Sequence, residues 1–312
     1  MIKIAVCMYG CWRTGDKCID YIKDFFDCNN SEVQVDFFCS IKSVDQYLNV
    51  NKHKIYDHKL DDNEIETIIS KLNNTVVPKS INILIDDENS SVLQKKLSGI
   101  IDSVFLKKKY EVENNIEYDI TVAIRYDTIV IPSSYFKNFV TGLLLDENKF
   151  IISKENILKP SSILFTNKLT HLWRSNGMSD CSGADNPWAG ISVYLDNFLF
   201  GLHKSLDKIA YEMLNFCRNG YEQKRFMNIY EMHYALTHSI QKSFITVIDT
   251  PLVSDNNIYI DGFHNKSDTI THIYDKCHII ILRPDFKWTD DDNIFLEDTQ
   301  TKISHHFNMD FT

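Results

Sequence analysis

The chain has 312 residues, 44% of them apolar, so it can build one large α/β domain with a substantial core. A formal net charge of −10 argues against nonspecific binding to nucleic acid, though not against a small anionic ligand that responds only to the local field. No apolar run reaches the roughly 18 residues of a membrane span, Met1 leads into a strand-like run rather than a signal peptide, and the cysteines are scattered with no Cys-x-x-Cys pair, so the expectation is a cytoplasmic protein with free thiols.

Ile2–Met8 is a short apolar run rich in β-branched residues, the pattern of a strand buried on both faces. It enters the turn Tyr9-Gly10-Cys11-Trp12-Arg13-Thr14-Gly15-Asp16 and then a helix whose Ile19, Ile22, Phe25 and Phe26 share one face, with Thr14 or Asp16 as its cap. A strand, a glycine-containing turn and a helix form the opening unit of a nucleotide-binding α/β sheet. Tyr9, Gly10 and Arg13 are the candidate cofactor-binding residues here: Gly10 lets the backbone approach a ligand, and Arg13 offers a bidentate phosphate contact. The turn matches neither the dinucleotide fingerprint nor the P-loop, and an ordinary βα turn with Arg13 in solvent is the alternative.

Val33–Ser40 reads as a second strand, with Lys42 and Asp45 just beyond its end, and the polar Asn49–Asp62 segment reads as loop. Asp61 and Asp62 open a helix with Ile65, Ile68, Ile69 and Leu72 on one face. Ile81–Ile85 is a third strand; the Asp86-Asp87-Glu88 run after it fits a solvated loop and helix cap better than a cation site. Ser90–Tyr110 is a long helix striped by Leu93, Leu97, Ile100, Ile101 and Val104, and its Lys107-Lys108-Lys109 run reads as solvated.

The stretch Tyr118–Pro132 follows. Ile120–Ile124 is a buried strand, Arg125-Tyr126-Asp127 ends it, and Ile129–Ile131 is strand-like. Unpaired buried charge is expensive, and open α/β sheets bind ligands at the carboxyl ends of their strands. Arg125 and Asp127 are therefore candidates to face a polyanionic ligand, directly or through a metal ion; a plain ion pair, or side chains in solvent, is the alternative. The β-α-β-(α)-β-α-β order of residues 1–132 implies a mostly parallel sheet covered on both faces.

Beyond Pro132 the pattern loosens. Tyr135–Leu145 reads as a short helix, and Phe150–Ser153 and Ser162–Phe165 as strands. Thr170–Gly190 has no periodicity but holds Trp173, Asp185 and Trp188; its tryptophans either stack on a sugar or base or anchor the segment to the core. In Val193–Phe200, Asp196 sits among apolar neighbours, either as a base with a raised pKa or, with Asn197, as a helix cap. Ile229–Ile240 is helical, but Glu231 and His233 do not share a helical face and form no metal motif. Ile245–Ile248 and His278–Leu282 read as strands, and 290–312 as a peripheral tail.

Four pieces together resemble a family of GT-A type glycosyltransferases of bacterial, phage and large-virus surface-polysaccharide gene sets. They are IAVCMYGCWRTGD, VDFFCSIK, the passage from Gln94 through Lys107 and Glu111 to YDITVAIRYD, and DNFLFGLHKSLDKI, in that order over most of residues 1–215. The resemblance implies an α/β, GT-A-like (Rossmann-like) mostly parallel sheet with helices on both faces and a C-terminal elaboration. It implies one domain over 1–312, with 1–132 the nucleotide-sugar-binding half, 133–250 the acceptor-side half and 251–312 the elaboration. It also implies a nucleotide-sugar donor and a glycan or other hydroxyl acceptor. The family's metal-binding Asp-x-Asp is here Arg125-Tyr126-Asp127, so a divalent cation, Mn²⁺ or Mg²⁺ on Asp127, is expected only in part, with Arg125 supplying some of its charge. Asp196 falls where an inverting member keeps its catalytic base, and Asp185 is the runner-up. The missing first carboxylate also motivates a second reading, a catalytically inactive nucleotide- or carbohydrate-binding protein on the same fold. A metal-dependent hydrolase built on the acidic clusters is weaker, since no His/Asp spacing supports it.

Overall fold

The computed structural model describes residues 1–27, 33–49, 54–85, 90, 92–130, 163–169, 193–202, 204–218, 231–243, 246–249, 258–260 and 279–282. Its first half runs β1 (Ile2–Gly10), α1 (Gly15–Phe26), β2 (Val33–Lys42), β3 (Val44–Asn49), β4 (Lys54–Lys59), α2 (Asp62–Thr75), β5 (Ser80–Leu84), α3 (Val92–Asn114), β6 (Ile120–Arg125) and β7 (Thr128–Val130). Then come β8 (Ile163–Leu169), β9 (Val193–Leu202), α4 (Ser205–Arg218), α5 (Glu231–Lys242), β10 (Thr246–Asp249), β11 (Ile258–Ile260) and β12 (Ile279–Leu282).

Seven strands form the main sheet in the order β10-β8-β9-β6-β1-β2-β5. β1 lies parallel to β2 and to β6, β2 to β5, and β8 to β10, while β9 runs antiparallel to both β6 and β8. The architecture is therefore α/β with a mostly parallel sheet, as the run-lengths of its strands predict. Alternation along β1 explains why both faces must be covered. Ile4, Val6 and Met8 enter one core with Ile19, Ile22 and Phe25 of α1 and Ile68 and Leu72 of α2. Ala5, Cys7 and Tyr9 enter the other with Leu97, Ile100 and Val104 of α3 and residues of α4 and α5. Each fully buried aliphatic or aromatic side chain contributes about 1.5–3 kcal/mol of transfer free energy, so these two layers dominate the stability.

The winding places the site. From β1 the chain steps outward to β2 and β5, then α3 carries it back past β1 to β6 on the other side. In open α/β sheets ligands bind at such a reversal, at the carboxyl ends of the two diverging strands, here β1 and β6.

Several expectations are corrected. Asn49–Asp62 is not loop throughout: β3 and β4 pair as an antiparallel ribbon. α3 runs on to Asn114, so Lys107 is not in its last turn. Nor is Lys107 solvated. It is 1% exposed, because helical spacing puts it on the face of Ile100 and Val104, and its Nζ contacts Glu111 Oε2 at 3.4 Å and Asp207 Oδ1 of α4 at 2.5 Å. Thr14 occupies the N-cap of α1, but its side chain makes no capping hydrogen bond. α2 has the full capping box, Asp61 with Glu64. Cys7, Cys11, Cys18, Cys39 and Cys217 are free thiols. Among the described residues no helix is long and apolar enough to cross a membrane. The readings of Tyr135–Leu145, Phe150–Ser153, Thr170–Gly190 and the 290–312 tail lie outside the described residues.

Candidate functional site

Three segments meet at the carboxyl edge where the winding reverses. At the exit of β1, Gly10 has φ 106° and Arg13 has φ 46°, both on the left-handed side that residues with a Cβ rarely visit. The β2–β3 junction holds this turn. Both carboxylate oxygens of Asp45 accept the Arg13 N–H, at 3.0 and 2.9 Å, and Asp45 also accepts from the Trp12 N–H. Burial pushes the Asp45 carboxyl above its ordinary range, and those N–H donors and the Arg13 charge oppose the shift. Trp12 is buried against Tyr126, ring centroids 5.3 Å apart. Gly15 makes room for that indole, since a Cβ there would lie 2.7 Å from the ring.

At the exit of β6, register pairs Arg125 with Tyr9 of β1. Asp127, two residues on, is 1% exposed. Arg125 donates through Nε to Asp127 Oδ1 at 2.9 Å and through Nη2 to Oδ2 at 2.5 Å, while Arg13 Nη1 donates to Oδ2 at 2.8 Å. One buried carboxylate thus binds two guanidiniums delivered by two different strand exits. Both arginine side chains keep 16% exposure and the Asp127 side chain 2%, so the rim is guanidinium and the floor carboxylate. The hydroxyl of Thr128, next in sequence, is buried with no hydrogen-bond partner among the described residues. Burial and then the Asp127 charge push the nearby Cys18 thiol well up, which removes it as a nucleophile. At the end of β2, buried Lys42 donates to the Lys95 carbonyl near the start of α3.

The structure therefore brings Gly10, Arg13, Arg125 and Asp127 together. The Tyr9 side chain is buried in the core on the α3 face. The ion pair left open for Arg125 and Asp127 does form, but as part of a three-residue cluster with Arg13. Asp196 lies in β9, two residues before Phe198, which pairs with Ile124. Its backbone therefore sits at the same sheet edge, beside the exit of β6. The helix-cap alternative for Asp196 and Asn197 is overturned, because both lie within the strand and α4 starts at Ser205. Asp185 lies outside the described residues. Sequence reasoning noted Asp45 but missed its role, which depends on a contact across 32 residues.

The residues present do not fit the divalent cation expected on Asp127. Mg²⁺ and Mn²⁺ want several oxygen ligands. Both Asp127 oxygens already accept from guanidiniums, and among the described residues no three His, Cys, Asp or Glu side chains converge.

No protein-family profile and no curated protein matches the chain. Among solved structures it is similar to the apo-form glycosyltransferase GlyE of Streptococcus pneumoniae TIGR4, at 12% identity and a TM-score of 0.39 over 99% of this chain. The chain spans 64% of that protein's length. At that identity and score the likeness says nothing of donor, acceptor or site residues.

Proposed function

We propose that the protein is a nucleotide-sugar-dependent glycosyltransferase, a hexosyl- or related transferase of polysaccharide biosynthesis. It moves a sugar from a nucleoside-diphosphate donor to a glycan or other hydroxyl acceptor. The observation that supports this reading is the Arg13–Asp127–Arg125 cluster at the carboxyl ends of β1 and β6. Two guanidiniums at the strand ends suit a diphosphate, since each can donate a forked pair of charge-assisted hydrogen bonds. In the transfer, the bond from the anomeric carbon to the diphosphate oxygen breaks and a bond to the acceptor oxygen forms. The arginines offset the charge that develops on the leaving diphosphate. Asp196, on the strand beside β6, takes the acceptor proton in an inverting reaction, a role worth about 10²–10⁴-fold in rate. Asp185 is the second candidate for that role.

One observation favours the alternative, a nucleotide- or carbohydrate-binding protein without turnover. The carboxylate at the end of the central strand is enclosed by arginines. A panel of nucleotide sugars separates the two. Release of nucleoside diphosphate above the buffer rate supports the transferase, and its loss in Asp196→Asn supports the base. Thermal stabilisation by uridine, guanosine or thymidine diphosphate without release supports the binding protein. A saturated site should gain about 2.7 kcal/mol at a hundred times the dissociation constant. If no nucleotide moves the transition and none is released, both readings fail.

A further inference from the structure

Resting on the diphosphate-binding reading above, we infer that Arg13 and Arg125 receive the diphosphate directly, with no bridging divalent cation, and that Asp127 is their buried counter-ion rather than a metal ligand.

Three features lead there. First, the order of access is wrong for a metal: the two guanidiniums form the partly exposed rim, and the Asp127 carboxylate lies beneath them at 2% exposure. Second, occupancy is wrong. A cation on Asp127 would have to share a carboxylate that already accepts three charge-assisted hydrogen bonds, of 2.5, 2.8 and 2.9 Å, and sit against the two positive groups that donate them. Third, among the described residues the Arg13 and Arg125 guanidiniums share the Asp127 carboxylate, while the Asp45 carboxylate is turned onto the backbone N–H groups of Trp12 and Arg13. A guanidinium has five N–H donors, so it can hold a carboxylate behind and a phosphate in front. Asp127 therefore spares two arginines the search for a common position, and Asp45 does the same for the backbone that carries Arg13.

The counter-ion role and the metal-ligand role predict opposite signs for one substitution. Asp127→Asn keeps the shape and one acceptor oxygen but removes the negative charge that competes with phosphate. The experiment is calorimetric titration of the full chain with uridine diphosphate, guanosine diphosphate and inorganic pyrophosphate, in EDTA and in Mn²⁺. Electron paramagnetic resonance of Mn²⁺ added without nucleotide accompanies it. The expected results are affinities equal within about twofold in the two buffers, no bound Mn²⁺ signal, and Asp127→Asn binding at least as tightly as wild type. Arg13→Gln and Arg125→Gln should each weaken binding by about tenfold or more. Should Asp127→Asn fail to fold, the EDTA comparison on wild type decides alone. Binding that needs Mn²⁺ and is lost in Asp127→Asn overturns this inference and leaves the nucleotide-binding reading intact; no binding in either buffer overturns both.

Discussion

Replacing Lys107 with methionine isolates the energetics of a buried charge cluster. The ammonium lies 3.4 Å from Glu111 Oε2 and 2.5 Å from Asp207 Oδ1, so it joins α3 to α4. Methionine keeps most of the stem volume but leaves two carboxylates facing each other. Removing one partner of a buried ion pair costs about 3–5 kcal/mol. Here the lower end applies, because Asp207 retains 16% side-chain exposure and Lys108, 42% exposed, contacts the same pair at 3.2 and 3.9 Å. The expected loss is about 3 kcal/mol, read from the midpoint of urea unfolding at constant m-value. Adding Asp207→Asn should recover part of it, a coupling of about 0.5–3 kcal/mol in a double-mutant cycle. A Lys107→Met protein within about 0.5 kcal/mol of wild type, or a purely additive double variant, would refute the claim that this lysine is structural.

Further predictions test the turn, the far end of the sheet and a surface pair. Gly10→Ala meets no atom within 4 Å, so its cost is conformational, about 1–3 kcal/mol from the φ of 106°, measured by denaturant unfolding. Tyr118→Phe removes the hydroxyl that donates to Asp36 Oδ2 at 2.7 Å and should cost about 1–2 kcal/mol without changing nucleotide affinity, since Asp36 keeps Gln34 and Lys79. His58 bonds Glu64 at 2.8 Å, which raises the imidazole pKa above its ordinary value, while the Asp61 backbone N–H and then His58 lower that of Glu64. The protonated histidine is the favoured form, so its small stabilisation is complete below about pH 6.5 and fades as pH rises through the elevated native value. Proton NMR should find the His58 midpoint above normal, returning toward it in Glu64→Gln; an unchanged midpoint would break the assignment.

The strands β1 and β6 were legible because they are buried on both faces and carry short apolar stretches, Ile4–Met8 and Ile120–Ile124. The same logic picked out residues that the structure brings together: Gly10 and Arg13 at one strand exit, Arg125 and Asp127 at the other. What escaped was long-range. The Arg13–Asp127 bond spans 114 residues and the Arg13–Asp45 clamp 32, and neither leaves a local pattern. The β3–β4 ribbon is short and polar, so it reads as loop. Lys107 sat in a run of three lysines, and only the helical phase of α3 and the arrival of Asp207 separate it from exposed Lys109. Asp36 belongs to the VDFFCSIK segment that resembles the glycosyltransferase family, yet its carboxylate binds Tyr118, Gln34 and Lys79. It ties β2 to the segment that enters β6, a packing role that composition alone does not distinguish from a catalytic one.

The pairing of β8 with β9 has an evolutionary corollary. Leu169, where one strand finishes, stands opposite Val193, where the next begins. Residues 170–192 therefore depart from and rejoin the framework at adjoining points, on the same border as the arginine pair. Closing a longer excursion between fixed posts costs only about 0.6 kcal/mol per doubling of its length. Descendants of this chain can thus change the length of that interval at little cost to the sheet that carries Arg13, Arg125 and Asp127.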